Sequence, residues 1–206
     1  MMQARVQKAI QNLQRHNMGA YYVACPEALL LLLSTLLRAG ETVSCGDSLT
    51  LEQTGVLHFL RSGPYQFLDK FKSGLTSEDK REIYLQSFRA DTFFTGVNAV
   101  ITDGRLFNID GNGSRVAPML YGPGQVIAVV GTNKLTDTLE EAVHRARQTA
   151  APLDAKRLGK QTPCATLGRC VDCSHPQRIC NDFVLIAGQF VKARIKVIFI
   201  DGDYGF

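Results

Sequence analysis

Residues 125–131 read QVIAVVG. An uninterrupted apolar run, almost all β-branched, stops at a glycine. A strand with one wet face alternates apolar and polar residues, whereas a strand covered on both faces does not. This run therefore predicts a central strand of a parallel sheet, with helices on either side. Downstream, TLEEAVHRARQTA (138–150) places Leu139, Val143, Ala146 and Ala150 on one helical face. Thr138 and Glu141 have the spacing of a capping box. Two more β-rich runs, DFVLIAGQF and IKVIFIDGD, lie near the C-terminal end.

Upstream the same alternation continues. Val6, Ile10 and Leu13 give helical spacing, GAYYVA reads as a strand, and Cys25-Pro26 opens an apolar helix that stops near Arg38-Ala39-Gly40. ETVSCG is a second strand, and SLTLEQTGVLHFLRSG a helix with Ser48 or Thr50 as its cap. YQFLD is a third strand, followed by the helix TSEDKREIYLQSFRA. DTFFTGVNAVITDGRLFNID then holds three short strands, with Asp103-Gly104 as a hairpin turn. The expectation is one α/β domain over residues 1–206 with a mostly parallel sheet flanked by helices. It carries a β-rich insertion near residues 92–110 and a Cys-rich C-terminal loop over 160–181.

Bulk properties exclude several classes. The chain is 45% hydrophobic and 20% charged, as soluble globular proteins are. Its net charge of +4 is dispersed among acids, which argues against nucleic acid as a partner. The most apolar run, Ala28 to Leu37, is too short to span a bilayer, which takes about 20 residues. No membrane role and a cytoplasmic location are expected.

In an open α/β sheet, ligands gather beyond the carboxyl ends of the strands. Three strand-ending segments are candidates. Cys45-Gly46-Asp47-Ser48-Leu49-Thr50 offers backbone N–H groups and hydroxyls, or merely caps a helix. Asn108 to Arg115 joins a glycine-rich turn to an arginine suited to a carboxylate or phosphate. Gly131-Thr132-Asn133-Lys134 brings an amine beside the best strand, suited to an anion or a carbonyl substrate. There is no Walker loop and no dinucleotide-binding glycine fingerprint. No nucleophilic triad is evident. Asp110 is the best general base, with Glu52 a poor second.

Four of the six cysteines, Cys164, Cys170, Cys173 and Cys180, are spaced C-x5-C-x2-C-x6-C. Thiolates suit zinc or iron–sulfur, and Cys170-x-x-Cys173 is the bite two ligands on one turn need. A metal or cluster, redox thiols and no special role all remain open. The spacing matches neither the two-knuckle zinc pattern nor a ferredoxin run.

The blocks SCGDSLTLEQTG, NAVITDGRLFNIDGNGSRVAPMLYGPGQVIAVVGTNKL and AAPLDAKRLGKQTPCATLGRCVDCSHPQRICN resemble the LUD (lactate utilization) domain, also called LutC/YkgG-like. The resemblance runs from about residue 5 to the C-terminus. It implies the fold shared by ribose-5-phosphate isomerase, glucosamine-6-phosphate deaminase (NagB/RpiA) and the CoA transferases. It also implies a cytoplasmic role linked to oxidation of L-lactate to pyruvate, with an iron–sulfur oxidoreductase as partner. Matched to its motifs, the ligand-binding residues are Gly46, Ser48, Thr50, Asn98, Asp110, Gly111, Asn112, Gly113, Arg115, Gly131, Asn133 and Lys134. The ligand would be a small anion. The implied cofactor is an iron–sulfur cluster, 4Fe-4S in the simplest case, or zinc on Cys164, Cys170, Cys173 and Cys180. One departure is Cys45, where the family commonly has a bulky aromatic, so an altered pocket or a fifth thiol near it is expected. Two other functions fit the same residues. One is an isomerase or transferase acting on a sugar phosphate or CoA ester, with a structural metal. The other is a non-enzymatic assembly or regulatory partner of an iron–sulfur protein.

Overall fold

The computed structural model describes residues 2–206. The first half runs α1 (Met2–Arg15), β1 (Gly19–Val23), α2 (Pro26–Leu36), β2 (Thr42–Cys45), α3 (Leu49–Gln53), α4 (Val56–Ser62), β3 (Gln66–Phe67), α5 (Ser77–Ser87) and β4 (Thr92–Thr95). Next come β5 (Ala99–Ile101), β6 (Leu106–Asp110), α6 (Val116–Leu120), β7 (Gln125–Gly131), β8 (Leu135–Thr136) and α7 (Leu139–Arg145). The chain then forms α8 (Ala151–Arg157), α9 (Pro163–Leu167), β9 (Asp182–Ile186) and β10 (Ile195–Ile200).

Six strands form the main sheet in the order β1-β10-β7-β4-β2-β3. Every pairing in it is parallel. Strand β7 lies inside, with Val126 opposite Ile195 on β10 and Phe93 on β4. Its side chains feed two cores alternately. Val126, Ala128 and Val130 join α1 residues Val6, Ala9 and Leu13 on one face. Ile127 and Val129 join Leu29 and Leu33 of α2 and Leu51, Val56 and Leu60 of α3 and α4 on the other. The apolar run expected of a doubly covered strand is this arrangement read in one dimension.

The β-rich insertion is arranged differently from its expected span. Thr92–Thr95 pairs within the main sheet, so the insertion proper begins at Ala99. A second sheet, β8-β5-β6-β9, draws strands from three separated parts of the chain. β5 and β6 form the hairpin that Asp103-Gly104 foretells, with Ala99 opposite Phe107. β9 pairs antiparallel with β6, putting Asp182 opposite Asp110. This sheet packs on the α1 side of the main sheet, where Val100, Leu106, Leu135 and Ile186 enter the shared core. Its other face is covered by Ala142 of α7 and by Ala146, which directly follows that helix.

Two helices differ from their sequence patterns. The stretch after β2 splits into α3 and α4 because Gly55 takes a left-handed conformation, φ 75°. The helix begun at α7 runs on to Arg157 through a wide π-type turn at Ala146–Ala150. There the N–H of Ala151 reaches back to the Ala146 carbonyl, and Pro152 follows with no N–H to donate. Among the described residues no helix is long and apolar enough to cross a membrane.

Candidate functional site

The carboxyl ends of β2, β4 and β7 open onto one cavity of about 550 Å3. The far wall comes from the end of β6, from α8, and from residues 176–179 of the Cys-rich loop. Seven of the sequence-predicted residues line it: Ser48, Asn98, Asp110, Gly111, Asn112, Arg115 and Lys134. The other five stand behind it. Gly113 shapes the turn before α6, with φ 77°. Gly46 lies against Arg115, and a Cβ there would come within 2.7 Å of Arg115 Cγ. Gly131 leaves room for the C-terminal segment at Gly202 and Tyr204. Asn133 holds that segment, donating from Nδ2 to the Gly205 carbonyl (3.2 Å). Thr50 is buried beneath the cavity floor.

Arg115 is a hub. One terminal nitrogen donates to Asn108 Oδ1 (2.6 Å) and the Gly96 carbonyl (3.0 Å). The other donates to the Ile109 carbonyl (2.7 Å) and Asn98 Oδ1 (3.0 Å). Nε lies 3.7 Å from Asp110 Oδ2. Burial pulls its pKa down and Asp110 pulls it up, yet an arginine stays charged throughout. Its donors are spent on protein acceptors, so it fixes the ends of β4 and β6 and has little left for a ligand. The amide nitrogen of Asn108, next to it, is the single buried side-chain polar atom without a partner among the described residues.

Lys134 and Lys70 differ from Arg115. Lys134 is 4% exposed and donates to Thr50 Oγ1 at 2.8 Å. Burial, with Arg145 and Arg115 nearby, brings its pKa down to about 7. Lys70, 7% exposed as a residue, makes no hydrogen bond or ion pair among the described residues; its Nζ lies over the rings of Phe71 and Tyr84 and opens onto the cavity. Burial lowers its pKa too, opposed by Cys45, Asp47 and Asp110. The neighbouring Asp69 is clamped by Arg61 through two bonds of 2.7 and 3.3 Å, which fixes the loop carrying Lys70.

The acids of the cavity are already engaged. Asp110 accepts from the backbone N–H of Gly111 (2.7 Å), Val116 (3.1 Å) and Asn112 (3.4 Å). Asp47 and Asp154 share Arg157, at 3.0 and 2.7 Å. Lys70, which lies in no motif, also lines the cavity, as do Asp154, Arg157, Lys160 and Arg178, which fall in the third block but were not singled out there. Ser48 caps α3 at Leu51 (3.4 Å), and this frees Thr50 to face Lys134. Cys45 is not a pocket thiol. It is packed in the core with Val43 and Phe94, and burial pushes its pKa up to about 12, which makes it inert.

The Cys-rich loop is tied down by hydrogen bonds. Arg178 donates to the carbonyls of Cys173 (2.6 Å) and Cys180 (3.0 Å). Arg147 and the Asp172 N–H donate to Cys170 Sγ, at 3.6 and 3.4 Å. Cys164 Sγ pairs with the Thr162 hydroxyl at 3.3 Å. Among the described residues no three His, Cys, Asp or Glu side chains converge to hold a metal ion. The donor set is chemically right for zinc or iron–sulfur, but in this conformation the four thiols are not gathered into a cage.

A parallel α/β domain with a cation-lined cavity at its strand ends defines the class. The model of the LUD domain matches residues 6–200. The chain belongs to the LUD domain family, which is associated with lactate utilization in general. It is similar in fold to a crystal structure of a DUF162 family protein from Deinococcus radiodurans. That likeness has a TM-score of 0.56 at 13% identity and covers 98% of this chain and 99% of the other. No curated protein matches the chain.

Proposed function

We propose that the chain binds a small organic acid, of the lactate and pyruvate type, in the cavity at the ends of β2, β4 and β7. One observation carries the reading. Lys70 and Lys134 are both more than nine-tenths buried on the cavity wall, and neither pairs with a carboxylate among the described residues. A buried cation without a counter-ion is costly, and a ligand carboxylate would supply the missing charge. Asp47, Asp110 and Asp154 do not compete for that role, since arginines and backbone N–H groups hold them. Arg115 acts from behind by fixing Asn98 and Gly96, and Lys70 makes the direct contact. In this reading the chain supplies the binding site for lactate utilization, and an iron–sulfur oxidoreductase partner supplies the redox step. No step is routed through the four cysteines.

Thermal shift and calorimetry with lactate, pyruvate, phosphate and chloride test it. Lactate or pyruvate is expected to raise Tm. Lys70→Met should weaken that binding about tenfold or more, the worth of one charge-assisted hydrogen bond. Arg115→Lys should lower stability more than affinity. No response to any organic acid, or full affinity in Lys70→Met, would reject the reading.

A further inference from the structure

The cavity contains an amine whose surroundings suit bond formation better than charge pairing. Lys134 follows β7 on a single 3-10 turn, Thr132–Lys134, and its side chain lies on the cavity wall. Its one hydrogen bond is to Thr50 Oγ1, at 2.8 Å. Thr50 gives its own O–H to the Tyr204 carbonyl, at 3.1 Å, so its oxygen can only receive from Lys134. A neutral amine can satisfy that acceptor with one N–H and keep its lone pair for the cavity.

The charged groups around it disfavour the ammonium form. Arg145 of α7 is close by, held to the carbonyls of Asn98 (2.6 Å) and Asn133 (3.2 Å), and Arg115 faces it from the start of α6. The acid acting on it is Asp154 of α8, which is bonded to Arg157. No carboxylate lies within ion-pair distance of Lys134 among the described residues. A desolvated lysine beside other cations is the arrangement that makes an amine nucleophilic. Lys70, on the same cavity, is free to hold a carboxylate. A carbonyl and a carboxylate in one small molecule would satisfy both lysines at once.

We propose that Lys134 forms a reversible imine with a small acid bearing a carbonyl group, of the 2-oxo acid class. This rests on the anion-binding reading above and adds a covalent step to it. The Lys134 Nζ lone pair attacks the carbonyl carbon to give a carbinolamine. Its oxygen leaves as water, carrying both hydrogens of the original amine. The carbon–oxygen double bond is replaced by a carbon–nitrogen double bond. The step needs no oxidant and no reductant, and water reverses it.

The test uses the full chain with pyruvate as carbonyl probe, acetate as a carboxylate without a carbonyl, and borohydride to reduce any imine to a stable amine. Intact mass and peptide mapping are expected to show one adduct per chain, on Lys134. It should form on the order of tenfold or more faster near neutral pH than at the exposed Lys72 and Lys156. Lys134→Met should abolish it while Lys72→Arg and Lys156→Arg leave it unchanged. If Lys134→Met does not fold, the site-resolved rate in the unaltered chain still decides, as does its loss on unfolding in urea. Acetate should raise Tm and slow trapping by competition. If pyruvate raises Tm but no adduct forms, the imine is wrong and the binding reading stands. If neither acid raises Tm and no adduct forms, both fall. Labelling of Lys134 at the rate of the exposed lysines, or equally in the unfolded chain, would overturn the imine.

Discussion

Arg115, half-buried, and Lys134, buried, lie beside the same cavity, and their hydrogen bonds set them apart. Arg115 spends its donors on Gly96, Asn98, Asn108 and Ile109, whereas Lys134 has only Thr50. A saturated guanidinium is a brace, and an under-satisfied ammonium carries an energetic penalty. The penalty has a pH signature. The folded-state pKa of Lys134, about 7, lies below its ordinary value of 10.5. Between those values the unfolded chain binds more protons than the folded one, so stability rises with pH across the window. Below about pH 7 both states are protonated and the penalty is fully present. Lys134→Met should therefore stabilise the ligand-free chain at pH 6 by a few kcal/mol, with the gain shrinking towards pH 10. Urea unfolding at pH 6 and pH 9.5 measures it, and an equal gain at both would show that Lys134 is not desolvated as described. Sequence motifs singled out both residues but could not rank them. The difference lies in acceptors contributed by the segment after β4, by β6 and by α3, which only the folded chain assembles. Lys70 was invisible for a related reason: a lone lysine after a two-residue strand has no pattern, and its burial depends on the distant Tyr84 as well as the adjacent Phe71.

Strand ends, more than whole elements, position the site. β7 was legible because a doubly covered parallel strand needs an apolar run, and β2 because ETVSCG stops at a glycine, but β4 falls within the expected insertion and pairs in the main sheet instead. The pairing of β9 with β6 was not legible. An edge strand with Phe183 and Leu185 exposed carries no marker of its partner sheet. Nor was α8, where the π-type turn shifts the helical phase just before Pro152. That shift has consequences for the Cys-rich loop. The turn carries Arg147 and Gln148, which bond Cys170 through its Sγ and its backbone N–H. Arg178 and Asn181 complete the ties, the latter through the Gly111 carbonyl (2.8 Å). Any zinc or iron–sulfur centre on the four cysteines would have to draw their thiols together, which moves the segment that this network holds. Loading with zinc, or reconstitution with iron and sulfide, is therefore expected to change hydrogen exchange across residues 164–180 and leave β7 unaffected. Stoichiometric uptake with unchanged exchange in the loop would mean that the loop is already arranged for metal.

At the scale of the molecule, the two sheets are interleaved along the chain instead of being successive. β5 and β6 lie between β4 and β7, β8 follows β7 directly, and β9 precedes β10. Each departure from the main sheet returns to it, so neither sheet can form from one continuous segment. They also share one core, in which Ile186 of β9 and Leu106 of β6 meet Val126 and Phe199 of the main sheet. The cavity depends on this junction, because its floor is main-sheet strand ends and its wall is the end of β6. Interleaving predicts that the small sheet does not melt on its own. Ile186→Ala removes a core side chain that is 5% exposed, and such truncations cost about 2–5 kcal/mol. If the sheets are one cooperative unit, that loss is felt equally by the main sheet and the elements around it, where the six tyrosines lie. Tyrosine fluorescence and far-UV circular dichroism should then report a single, coincident and lowered midpoint in urea. An early dichroism transition with the tyrosine midpoint unmoved would show that β9 and its sheet unfold separately. The cavity would then close only when that sheet docks, and ligand affinity would fall in step with the early transition.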